Sequence, residues 1–199
     1  MQKRPSARQV CAGGTAIGSP SAVVLVGFMG AGKTSVGRIM AEQLGWRFTD
    51  LDERIEHRHG RSIASIFRQS GEAAFRKLEH SELRRLVSEA RSGAGLIAAL
   101  GGGTLSQLPN SALLRKYKFP IIFLDAPLET LRRRCLRHAR LTGKQRPLLG
   151  TMAEFRSRYT ARRPSYSQAQ LRVDTAARRT HAIALEICTT LRLAPLRQD

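Results

Sequence analysis

Eight residues, Gly27-Phe28-Met29-Gly30-Ala31-Gly32-Lys33-Thr34, fit the pattern G-x-x-x-x-G-K-[ST] and stand between an apolar run and a helix-like stretch. The run Ala22-Val23-Val24-Leu25-Val26 reads as a short buried strand, and Ser35 to Leu44 carries Val36, Ile39, Met40 and Leu44 at helical spacing. A glycine-rich loop joining strand to helix points its backbone N–H groups at one place. The helix N-terminus adds its positive end, a lysine in the position of Lys33 reaches terminal phosphates, and a hydroxyl in the position of Thr34 can bind Mg²⁺. Few other features restrict a chain so much, because the loop works only between a strand and a helix.

The rest of the chain alternates in the same way. Trp46 to Asp50 is expected as a second strand, Asp52 to His59 as a helix, and Ser62 to Arg91 as a longer helix broken at Ser70-Gly71. Leu96 to Leu100 is a third strand ending in Gly101-Gly102-Gly103, a helix runs from Pro109 to about Tyr117, and Pro120 to Leu124 is a fourth strand stopping at Asp125. Leu128 to about His138 is expected to be helical after a first-turn Pro127, and Arg140 to Gly150 a basic loop. Thr151 to Gln168 is expected to be helical with a break at Pro164, Leu171 to Asp174 a fifth strand, and Arg178 to Leu193 a closing helix. Nearly all-apolar strands alternating with helices predict a parallel sheet covered on both faces, with ligands at the carboxyl ends of its strands.

Charge and cysteines narrow the class less. The 199 residues include 34 basic and 15 acidic side chains, a formal net charge of +19, with 28 Arg to 6 Lys. That balance suits nucleic acid, a membrane surface or anionic small molecules and cannot choose among them; arginine spread over helix surfaces explains it equally well. No apolar run approaches the ~20 residues needed to span a bilayer, and Cys11, Cys135 and Cys188 lack metal-ligand or disulfide spacing, so a cytoplasmic location is expected. Residues 1–21, basic and rich in small side chains, are expected to form a disordered tail before one domain over 22–199.

The other informative residues fall at strand ends. Asp50 and Asp52, two apart at the close of an extended segment, are expected to face one side, one for a metal and one for a substrate hydroxyl; helix capping by Asp52 is the plainer alternative. Arg76 has Glu79 three residues on, able to hold its guanidinium. Three adjacent glycines weaken a fold unless the backbone must approach something closely, so Gly101-Gly102-Gly103 is expected to be a second ligand-contact loop. Arg146-Pro147-Leu148-Leu149 lies in the basic loop and could close over phosphates, and Arg162-Arg163 adds two guanidiniums suited to carboxylate or phosphate. The run Arg132-Arg133-Arg134 reads as solvated surface.

Together these residues resemble one family, shikimate kinase, of the nucleoside-monophosphate-kinase-like branch of P-loop proteins. Six elements appear in the family's order between about Val23 and Val173: the phosphate loop, Asp50-Leu51-Asp52, Phe75-Arg76 with Glu79, the triple glycine, Arg146-Pro147-Leu148-Leu149, and Arg162-Arg163-Pro164-Ser165-Tyr166, where Ser165 replaces a frequently apolar residue. The resemblance implies an α/β fold, a P-loop NTPase three-layer sandwich whose five-stranded parallel sheet has the order 2-3-1-4-5. Substrate-binding helices are implied at about 52–92 and a lid at about 139–150. The implied reaction is transfer of the ATP γ-phosphoryl group to the 3-hydroxyl of shikimate. A monomer with no membrane or specific nucleic-acid partner is expected. Gly30, Ala31, Gly32, Lys33, Thr34, Ser35 and Arg146 would hold ATP; Thr34 and Asp50 would hold Mg²⁺. Asp52, Arg76, Gly102 and Arg162 would hold shikimate, with Lys33, Asp52 and Arg146 catalytic. Gluconate kinases share the loop and lid, and a ligand-sensing regulator built on the same domain is the rival from another class.

Overall fold

The computed structural model describes residues 20–91, 93, 95–142 and 149–195. Among these residues five strands form one parallel sheet in the order β2-β3-β1-β4-β5: β1 Ala22–Val26, β2 Arg47–Asp50, β3 Leu96–Ala99, β4 Ile121–Asp125 and β5 Leu171–Asp174. Every residue of β1, β3 and β4 is buried, as expected for strands covered on both faces, whereas the edge strands β2 and β5 keep partly exposed positions. Val24 stands opposite Ala98 on one side and Ile121 on the other, so β1 is the centre of the sheet.

Among the described residues seven helices accompany the sheet: α1 Lys33–Leu44, α2 Leu51–His59, α3 Ile63–Ala90, α4 Leu108–Tyr117, α5 Leu128–Thr142, α6 Met152–Tyr166 and α7 Thr180–Thr190, with a short 3-10 turn over Thr104–Ser106. The helix α1 packs against β3 and α7, while α2 packs on α3 beyond the β2 edge. Because β1 leads to β2 across the sheet and β3 returns beside β1, the carboxyl ends of β1, β2 and β3 lie next to one another. That placement gathers the phosphate loop, Asp50 and the glycine run.

The break expected at Ser70-Gly71 is present: Gly71 has φ 78° and ψ 172°, a conformation essentially confined to glycine, and it bends α3 before Phe75 and Arg76. Two expectations fail. No breaker occurs before Gly143, so α5 continues to Thr142 and takes up Arg140 to Thr142, expected as loop. Pro164 lies inside α6 without ending it; its missing N–H forgoes one bond to the turn before, and the helix runs only two residues further, to Tyr166. The hydroxyls of Ser165 and Ser167 there donate to the carbonyls of Arg162 and Pro164 at 2.8 and 2.6 Å. The expected lid residues Arg146, Pro147 and Leu148 and the expected tail over 1–19 lie outside the described residues.

Candidate active site

The loop after β1 is held open by what surrounds its glycines. Gly27, Gly30 and Gly32 all have positive φ, and a Cβ at Gly27 or Gly30 would run into the carbonyl oxygens of Leu124 or Leu131. Gly32 takes the N-cap of α1 with no side-chain capping bond, which leaves the first-turn N–H groups of Lys33, Thr34 and Ser35 for an outside acceptor. Lys33 Nζ curls back to donate to the carbonyls of Gly27 at 2.9 Å and Phe28 at 3.4 Å. Ala31 is buried, its N–H donating to the Phe28 carbonyl.

Beside the loop, Thr34 Oγ1 donates to Asp50 Oδ2 at 2.9 Å. The two acids do not arise from an extended pair. Asp50 ends β2 and caps α2, its Oδ1 accepting the Asp52 N–H at 3.1 Å, while Asp52 already belongs to the first turn of that helix. Capping thus falls to Asp50 and leaves the Asp52 carboxylate uncommitted to the backbone. Asp52 has its pKa pushed up from 3.8 to about 6, first by desolvation, then by Asp50; Lys33 opposes, and Glu79 and Glu56 add smaller increments. Such a carboxyl can exchange a proton near neutrality.

The triple glycine sits where three site residues press close. An ideal Cβ on Gly101 would lie 2.8 Å from Asp52 Oδ1, one on Gly102 would lie 2.9 Å from Arg162 Nη1, and one on Gly103 would lie 3.1 Å from Arg76 Nη2. The close approach expected of the run is therefore to a carboxylate and two guanidiniums. Arg76 donates to Glu79 at 2.9 Å and doubly to Glu72, and its guanidinium lies over the Phe75 ring. Burial opposes its charge, yet these carboxylates outweigh the burial and raise its pKa. Arg162 extends over the Phe28 ring of the phosphate loop, 5.7 Å from its centroid, whereas Arg163 stands beside Tyr159. Of the two neighbours, Arg162 is the one that faces the glycine run. Ser165 joins Ser106 through their hydroxyls at 2.8 Å, which gives this departure from an apolar residue a polar partner.

Three contacts were not legible in the sequence. Arg134, expected on a solvated face, reaches under the phosphate loop: its Nη1 lies 3.4 Å from the Gly30 carbonyl and 2.9 Å from Thr175 Oγ1, and Nη2 donates to the Thr175 carbonyl at 2.5 Å. Tyr166, fully buried, donates its hydroxyl to the Gly102 carbonyl at 2.6 Å, and desolvation raises its pKa. Asp125, at the end of β4, accepts from Tyr159 and twice from Arg172. Only the position of Asp125, at a strand end, hinted at these. Among the described residues no group of three or more His, Cys, Asp and Glu could hold a metal, and no helix is long and apolar enough to cross a membrane.

A central-strand phosphate loop in a sheet of this order, facing a cleft with one carboxylate and two guanidiniums, defines a P-loop phosphotransferase for a small anionic acceptor. The shikimate kinase family profile matches residues 29–192. A shikimate kinase of Persephonella marina is 37% identical over 173 residues, 85% of this chain and 98% of that one; one of Geobacter sulfurreducens is 40% identical over 174 residues, 85% and 90%. The solved shikimate kinase from Acinetobacter baumannii in complex with shikimate superposes with a TM-score of 0.76 at 34% identity, covering 86% of this chain and 92% of that one. The chain belongs to the shikimate kinase family.

Proposed function

We propose that this chain transfers the γ-phosphoryl group of ATP to the 3-hydroxyl of shikimate, giving shikimate 3-phosphate and ADP, a step toward chorismate and the aromatic amino acids. The observation that carries the reading is the convergence of Asp52, Arg76 and Arg162 on Gly101 to Gly103, beside the phosphate loop. Backbone N–H groups of Gly30 to Ser35 hold the phosphates, and Lys33 exchanges the Gly27 and Phe28 carbonyls for phosphate oxygens. Arg146, outside the described residues, is the further cation assigned to the phosphates. Arg76 and Arg162 clamp the shikimate carboxylate, and the Gly102 backbone lines the same cleft.

Asp52 accepts the proton of the 3-hydroxyl as that oxygen bonds to the γ-phosphorus and the bond to the bridging oxygen of ADP breaks. With a loose transition state its larger contribution is to orient the hydroxyl in line. Thr34 and Asp50, a hydroxyl and a carboxylate 2.9 Å apart at a helix N-terminus, are the hard oxygen donors that Mg²⁺ prefers. When bound, Mg²⁺ neutralises charge on the β- and γ-phosphates.

The test is ADP release from Mg-ATP with shikimate, with gluconate and with neither. Release that depends on shikimate is expected. Asp52→Ala should abolish it while ATP still binds, and Arg76→Ala should raise the shikimate KM by roughly tenfold or more, the scale of a charged hydrogen-bond pair lost. Equal release without acceptor, or normal turnover in Asp52→Ala, would overturn the reading.

A further inference from the structure

Thr104 follows the triple glycine and is completely buried, although nothing in a phosphoryl transfer calls for a hydroxyl there. Its polar atoms are all engaged, and two of the bonds run to the acceptor cleft, one to Glu79 and one to the glycine run. Oγ1 donates to Glu79 Oε1 at 2.6 Å, and the other oxygen of that carboxylate, Oε2, accepts from Arg76 at 2.9 Å. The Thr104 N–H donates to the Gly101 carbonyl at 3.1 Å, closing the turn that presents Gly101 to Gly103. The Thr104 carbonyl accepts from Asn110 Nδ2 at 3.1 Å, and Asn110, also completely buried, has its Oδ1 2.7 Å from His80 Nδ1.

Glu79 itself is 1% exposed. A buried carboxylate with one oxygen unpaired is costly and would turn to share its partners, so a hydroxyl on Oε1 fixes which oxygen meets Arg76. The glycine run and the guanidinium that lies 3.1 Å from the place of a Gly103 Cβ are thereby tied to one side chain.

We propose that Thr104 is a positioning residue for the acceptor: through Glu79 it sets the direction of the Arg76 guanidinium, and with it the affinity for a carboxylate-bearing alcohol. This rests on the proposed acceptor reading. It separates from a role in ATP binding because none of the Thr104 bonds reaches the phosphate loop.

Thr104→Val keeps the shape and removes the hydroxyl; Thr104→Ser keeps the hydroxyl and loses the methyl group. In Thr104→Val the shikimate KM, and the dissociation constant from calorimetric titration, should rise roughly tenfold, as expected for one bond to a charged group, with the ATP KM within about twofold of wild type. Thr104→Ser should restore most of the shikimate affinity. A shikimate KM unchanged in Thr104→Val, ATP and shikimate KM values rising together, or a serine variant as weak as the valine one would overturn the inference while leaving a shikimate-responsive wild type intact. A wild type that neither binds nor phosphorylates shikimate would overturn the acceptor reading, and the inference with it.

Discussion

Asp52 carries opposite demands of stability and chemistry in one side chain. Its carboxyl has a pKa of about 6 in the folded chain against 3.8 without the fold, so between these values the folded state binds more protons than the unfolded one. Stability therefore falls as pH rises from about 4 through about 6, and above that the full cost of an ionised Asp52 is present. Two pKa units correspond to at most about 3 kcal/mol. Asp52→Asn, neutral and of the same size, should raise the thermal midpoint at about pH 7.5 and lose that advantage near pH 4, while phosphoryl transfer disappears. For the wild type, kcat/KM should decline as pH drops through about 6, since transfer uses the ionised carboxylate. A midpoint for Asp52→Asn at or below that of the wild type at neutral pH would mean that Lys33 compensates the burial fully.

At the scale of elements, α5 acts as a support beneath the phosphate loop. The Leu131 carbonyl lies where a Gly30 Cβ would be, and Arg134 bonds the Gly30 carbonyl to the segment after β5 through Thr175. Arg134→Met removes three hydrogen bonds and should cost about 1–3 kcal/mol in urea unfolding. It should also raise the ATP KM several-fold and leave the shikimate KM unchanged. A rise in both, or in neither, would contradict a role confined to the loop. The phosphate loop was legible because its requirements are local: glycines, a lysine and a hydroxyl in fixed order between strand and helix. The glycine run was legible for the same reason, as three residues without Cβ in a row need a neighbour to explain them. The Arg134 contact was not, because its partners stand 41 and 104 residues away along the chain and an arginine triplet carries no sign of which member turns inward. Asp50 and Asp52 show a partial success. Their closeness to the loop was expected and β2 ends at Asp50 as read, but α2 begins at Leu51, one residue before the expected start, so the cap is Asp50 and Asp52 lies in the first helical turn. Pro164 was misjudged because a proline forgoes a single backbone bond, and the local sequence does not show that the packing of α6, with Tyr166 buried beyond it, outweighs that loss.

For the whole molecule the net charge of +19 remains the property that the site accounts for least. Part of it is neutralised locally. Glu82, 1% exposed, takes Arg54, Arg58 and Arg85 at 2.9 to 3.1 Å, and Arg54 continues to Glu89, fastening α2 to α3 behind the acceptor cleft. With 34 basic against 15 acidic residues, cations outnumber acids more than two to one, so the compact chain repels itself. Exposed pairs contribute only about 0–1 kcal/mol each, so screening should relieve more repulsion than it removes attraction. The screening length falls from about 30 Å at 0.01 M ionic strength to about 8 Å at 0.15 M. Across that range the thermal midpoint should rise by several degrees, since 1 kcal/mol shifts it by about 2–4 °C in a chain of this size. Capture of the ATP anion should weaken over the same range, because the field that strains the fold also draws the nucleotide in. The two effects have opposite signs in one salt titration. A midpoint that falls with salt would assign the stability to ion pairs such as those at Glu82, and an ATP KM indifferent to salt would confine nucleotide attraction to the phosphate loop itself.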